Sequence, residues 1–130
     1  MTDYTLAAGK FRIEPPLTWS EFKASPYRPE AARSEPDVLF EVETTEVDGP
    51  DGVMLLHRAV AVRPYAPGKP FAYHVGLAET LRKLLDEYGG RFTGFFECRA
   101  EPGGDWYRLA ARGGEIVRID PKIVWPGDED

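Results

Sequence analysis

Residue types that commonly do chemistry are sparse in this chain and poorly spaced for it. There are two histidines, His57 and His74, and one cysteine, Cys98. Zinc capture needs ligands at intervals such as His-x3-His or Cys-x2-Cys, and neither histidine has a partner at such an interval. Cys98 lies in an alternating aromatic segment. A nucleophilic thiol needs an activating base and an electropositive setting. The neighbouring Arg99 would point to the opposite face of a strand, so the spacing predicts a buried, inert thiol. The serines are Ser20, Ser25 and Ser34, and none sits in a Gly-x-Ser-x-Gly elbow. Gly89-Gly90, Gly103-Gly104 and Gly113-Gly114 belong to no phosphate loop and read as turns. Glu97, Glu101 and Asp105 flank a predicted hairpin, where they could hold a cation or move protons, but a solvated turn is the simpler reading and no calcium-loop spacing is present. These residues predict no catalytic set, no resident cofactor and no metal. An enzyme would have to be assembled from scattered groups such as His74, Glu97 and Asp105.

Two features point to binding instead. From Glu35 to Asp51 the chain carries seven acidic side chains and no Lys or Arg. On a strand, Glu41 and Glu43 project from one face, with Glu46 and Asp48 near the turn. Such a block discourages edge-to-edge pairing, and it equally suits docking of a basic protein partner. The second feature is aromatic. Trp19, Trp106 and Trp125 are expected in the core by default; an exposed ring beside Arg28 or Arg108 would instead anchor an interface. The candidate partner-binding set is therefore Glu41, Glu43, Glu46, Asp48, Trp19 and Trp106. An alternative is a small-molecule or nucleotide site between sheet and helices, with Arg108, Arg112 and Arg118 on neighbouring strands meeting an anion.

Composition narrows the partner. The chain has 130 residues, 42% hydrophobic and 12% aromatic, enough for one packed core. Its net charge of −6 opposes the counterion displacement that nucleic-acid binding requires, and adhesion to anionic membranes. No apolar run approaches the roughly 20 residues of a membrane span. The first residues lack a basic stretch followed by an apolar one, so no signal peptide is expected. One unpaired cysteine fits a reducing cytoplasm.

The elements that must position these groups follow from periodicity. Leu6 to Glu14 alternates as a strand, which Pro15-Pro16 is expected to stop. Thr18 and Glu21 form a capping-box pattern, predicting a short helix from Trp19. Val38 to Val47 and Val53 to Arg63 read as a hairpin around a turn of about five residues, Asp48 to Gly52, with Val38, Phe40 and Val42 facing the core. Phe71 to Tyr88 has helical spacing, with Leu77, Ala78, Leu81, Leu84, Leu85 and Tyr88 on one face. Strands follow at Arg91 to Ala100, Trp106 to Ala111 and Glu115 to Ile119; Ile123-Val124-Trp125 adds a short strand or tucks against the core, before a frayed acidic tail from about residue 126. The sum is a single α+β domain over residues 1–130. It has a mainly antiparallel sheet with two helices on one face, in the order β-α-β-β-α-β-β-β. That order is ferredoxin-like with a C-terminal meander.

Two segments, Phe11-Arg12-Ile13-Glu14-Pro15-Pro16-Leu17-Thr18-Trp19-Ser20-Glu21 and Phe92-Thr93-Gly94-Phe95-Phe96-Glu97 continuing through Asp105-Trp106-Tyr107-Arg108-Leu109 to Ile123-Val124-Trp125-Pro126, carry a resemblance. The chain resembles small uncharacterised proteins of actinobacteria and their phages, a family of unknown function, from about Gly9 to Pro126. The resemblance implies no catalytic residue. It implies a cytoplasmic protein tied to mobile elements or phage–host conflict, such as a regulator or inhibitor of a host protein.

Overall fold

The computed structural model describes residues 4–29, 38–65, 72–74, 77–101, 104–122 and 124–127. Its elements are β1 (Tyr4–Thr18), α1 (Trp19–Phe22), β2 (Val38–Gly49), β3 (Gly52–Pro64), β4 (Ala72–His74), α2 (Leu77–Tyr88), β5 (Phe92–Glu101), β6 (Trp106–Arg112) and β7 (Glu115–Ile119). Six strands form one sheet in the order β2-β3-β1-β5-β6-β7, and β4 pairs with β1 beside that path. Every pairing is antiparallel. The chain is therefore α+β, one antiparallel sheet with two short helices, and the expected element order is present with β4 inserted ahead of α2.

Alternation on the strands decides where the core lies. Phe11 and Ile13 of β1, Phe40 of β2, Val62 of β3 and Phe96 and Cys98 of β5 are buried on one face of the sheet. Phe40 meets Phe22 of α1 with ring centroids 5.8 Å apart and Tyr88 of α2 at 6.0 Å, which puts both helices over that face. Leu77, Leu81, Leu84 and Leu85 bury the predicted stripe of α2 in the same cluster. Among the described residues no helix covers the opposite, bare face of the sheet, as antiparallel sheets permit.

Four expectations need correction. Pro15-Pro16 does not stop β1, because the β1–β3 register steps from Arg12↔Ala61 to Leu17↔Ala59 and the prolines sit in the segment that bows out, where no ladder N–H is required. Their carbonyls instead accept bonds from Arg91, at 3.0 Å (Nε to Pro15) and 2.8 Å (Nη2 to Pro16). The helix expected from Phe71 begins at Leu77, and Ala72–His74 pairs with β1 as β4; all four buried leucines lie in the last twelve residues, so the amphipathic signal belonged to those alone. The hairpin turn is tighter than five residues: Gly49 pairs with Gly52, leaving Pro50-Asp51 between them. Finally, Val124 and Trp125 form no strand and stay exposed, while Ile123 lies outside the described residues.

Glu21 ties α1 to the start of β5. Its carboxylate accepts from the Thr18 backbone N–H at 3.0 Å, as the capping pattern predicts, and from Arg91 Nη1 at 2.6 Å. The Arg91 bond, then the backbone bond, hold its carboxyl down at about 2 against 4.5 ordinarily. A depressed carboxyl favours the folded state at pH values above its unfolded pKa. That contribution fades as pH falls from about 4.5 toward 2. Denaturant midpoints measured from pH 6 to pH 2 should therefore fall less steeply for Glu21→Gln than for the parent chain; identical slopes would show that the Glu21–Arg91 pair adds nothing.

Candidate functional site

Three consecutive exposed apolar residues stand on the β2–β3 hairpin. The pairing of β1 with β3 ends at Thr18↔Arg58, so among the described residues no third strand lies beside residues 52–57 of β3. Together with Thr44 to Gly49 they form a two-stranded arm. Directly opposed residues share a face. One face carries Thr44 with His57, Glu46 with Leu55 and Asp48 with Val53; the other carries Thr45 with Leu56 and Val47 with Met54. Val53, Met54 and Leu55 are 65%, 52% and 60% exposed. The acidic strand and the apolar strand thus lie side by side along the arm.

At the arm's base, the Thr44 Oγ1 and His57 Nδ1 lie 2.9 Å apart in a hydrogen bond. The Trp19 ring lies 5.7 Å from that of His57, and the Arg28 guanidinium stands 5.4 Å from the Trp19 centroid. Trp19, one of the predicted anchors, thereby stands at the base of the arm that carries Glu46 and Asp48 farther out. Glu43 sits across from Arg58 in the register. Glu41 reaches Lys10 Nζ at 3.6 Å on the bare face. There a cleft of about 680 Å³ opens beside the irregular pairing, with Arg12, Pro15 and Val60 in its wall. Val60 has no register partner in either β1 or β2. Such an interruption of both ladders is a bulge.

Trp106 is not part of this group. It lies on β6, four strand spacings or roughly 19 Å from β2. All three tryptophans are exposed, Trp19 at 41%, Trp106 at 55% and Trp125 at 69%. The expectation that they fill the core fails, because phenylalanines Phe11, Phe22, Phe40 and Phe96 occupy that volume. Trp106 stands by Arg99 at 5.4 Å, and Arg108 lies over the Phe95 ring at 4.3 Å with Glu97 3.9 Å away.

The three arginines of the alternative reading do not converge. Arg108 faces the bare side with Glu97, whereas Arg118 is paired with Leu109 and shares its face. Arg118 lies over Tyr107 at 4.1 Å and bonds Asp120 at 2.9 Å, which raises its pKa further. Arg112 sits opposite Glu115 at the β6–β7 turn. A cleft of about 250 Å³ does run between α2 and β7, past Arg82, Leu85 and Ile116, but none of the three arginines lines it.

As for chemistry, Glu97 and Asp105 are exposed at β5 and ahead of β6, while His74 is on β4, on the other edge of β1 from β5. Cys98 is fully buried, and burial pushes its thiol up to about 11, so it is protonated at neutral pH. Among the described residues no three His, Cys, Asp or Glu side chains gather as a metal-ligand set, and no helix is long and apolar enough to cross a membrane.

Sequence reasoning missed Val53, Met54 and Leu55 as surface residues. A signal was present: four apolar residues in succession, Val53 to Leu56, follow the turn where a half-buried strand would alternate. Their partner strand carries Glu46 and Asp48 on one face of the arm and the exposed Thr45 on the other, which does not favour a core there.

No curated protein and no solved structure matches this chain. The model of a family of unknown function, DUF6205, matches residues 1–130, and the chain belongs to that family.

Proposed function

We propose that the chain is a non-enzymatic interaction module whose β2–β3 arm engages a protein partner. The observation that carries this reading is the exposure of Val53, Met54 and Leu55 next to Glu46 and Asp48. Apolar side chains grouped on a surface and rimmed by charge are the usual composition of a binding patch. Trp19, with Arg28 beside it, extends the patch at the arm's base. We read the surrounding layout as a split βαβ arrangement extended by β6 and β7; β3 and β5 flanking β1 support it. In the phage or mobile-element setting implied by the sequence resemblance, the partner is a host protein and binding inhibits or regulates it.

The test uses a photo-crosslinking residue at Leu55 in the full chain, expressed in the native host. A single predominant adduct is expected. Affinity capture of that adduct's protein should drop at least tenfold with Met54→Ser plus Leu55→Ser and with Glu46→Lys, and stay unchanged with Trp125→Ala. Both arm variants alter exposed side chains, so their stability should remain within about 0.5 kcal/mol of the parent. Undiminished capture by both arm variants would end the arm reading.

A further inference from the structure

Resting on the reading of the arm as a partner-binding element, we propose that the outer edge of β2 receives an extended, lysine- or arginine-rich segment of the partner as an added strand. β2 is a terminal strand of the sheet, and among the described residues no strand pairs with its outer side. The Phe40 N–H shows which of its amides face outward, because it donates to the Tyr27 carbonyl at 2.9 Å rather than to β3. Backbone groups alternate along a strand. The bulge residue, Val60, belongs to β3, so the alternation along β2 is unbroken. The N–H and C=O groups of Val42, Thr44, Glu46 and Asp48 therefore point away from β3. That is a template of about 20 Å for a strand of seven or so residues.

Charge selects the occupant. Glu41 and Glu43 project on one face of β2, Glu46 and Asp48 on the other. Two of these acids have cations at hand: Glu41 has Lys10 at 3.6 Å, and Glu43 lies across from Arg58. Glu46 and Asp48 lie across from Leu55 and Val53, and so keep their charge unopposed by the paired strand. A second copy of this chain would bring one acidic edge against another, which like-charge pairing disfavours. A basic strand meets the opposite situation. Its backbone completes the ladder while its cations reach Glu46 and Asp48 on one face, and its apolar side chains, on the other face, extend the Val47–Met54 surface.

The probe is a fluorescent eight-residue peptide of alternating Lys and Val, titrated with the full chain and followed by anisotropy. Two further peptides keep the sequence but carry N-methyl groups on alternate backbone amides, one on the odd set and one on the even. The parent peptide is expected to bind. One methylated peptide should lose at least tenfold in affinity and the other much less, because only one set of amides faces β2. Glu46→Lys plus Asp48→Lys should also weaken the parent peptide at least tenfold. Thr44→Pro, which removes an outward N–H and leaves the β3 ladder intact, should do the same. Equal binding of all three peptides, lost on charge reversal, would overturn strand addition while leaving an acidic docking surface standing. No binding of the parent peptide would overturn the proposal outright, and the crosslinking at Leu55 would then decide the arm reading separately.

Discussion

Phe11→Ala is expected to lower the free energy of unfolding by about 3–5 kcal/mol, the range for deleting a fully buried aromatic ring. Phe11 is 0% exposed and lies on β1, the strand between β3 and β5. Its ring centroid is 4.7 Å from that of Phe96, so truncation strips a partner from a second buried ring as well as opening a cavity. Domains of this size are commonly stable by about 5–15 kcal/mol, so the variant should lose a large part of its margin. Phe95→Ala provides the contrast. Phe95 is adjacent in sequence to Phe96 but is 40% exposed on the bare face, and it should cost well under half as much. Urea unfolding of both variants measures the difference. Similar losses would mean that the sheet's buried face is wrongly assigned.

Gly94→Ala is expected to cost about 2–4 kcal/mol, from strained backbone together with overpacking. Gly94 has φ of +111°, and an added Cβ would stand 2.8 Å from the Lys10 carbonyl oxygen on β1. Backbone cannot swing aside as a side-chain tip can. Gly9 mirrors it, with φ of +107° and 2.8 Å to the Phe95 carbonyl oxygen. In the register Phe11 lies across from Gly94 and Phe96 across from Gly9, so each ring fills the space left by a missing side chain. Gly114→Ala separates the two contributions. Gly114 also has a positive φ, +80°, but nothing lies within 4 Å of an added Cβ, so only the conformational part remains. Denaturant midpoints should rank Gly94→Ala below Gly114→Ala, and the reverse order would refute the close approach of β1 and β5.

Much of this architecture was legible from residue pattern. The leucine stripe of α2, the glycines that punctuate β6 and β7, and the core-facing Val38 and Phe40 follow from local periodicity, and the structure repeats them. Failures occurred where a distant group compensates a local rule. Pro15-Pro16 continues a strand because Arg91, far along the chain, accepts the role of hydrogen-bond partner for both carbonyls. The tryptophans lie outside because four phenylalanines already fill the interior, a competition for volume that no single window of sequence displays. The binding surface was half visible. Its acidic residues were evident from charge alone, whereas the exposure of Val53 to Leu55 depends on β1 ending its pairing at Arg58.

The position of β1 also sets the order of events during synthesis. The strand that emerges from the ribosome before the others is an interior one, and along most of its length its second neighbour is β5, with Ile13 paired to Phe92. Closing so long a loop costs chain entropy before any pairing repays it. A nascent chain ending after α2 therefore holds an open, unzipped edge in what becomes the middle of the sheet, and the sheet is closed there only once β5 has emerged.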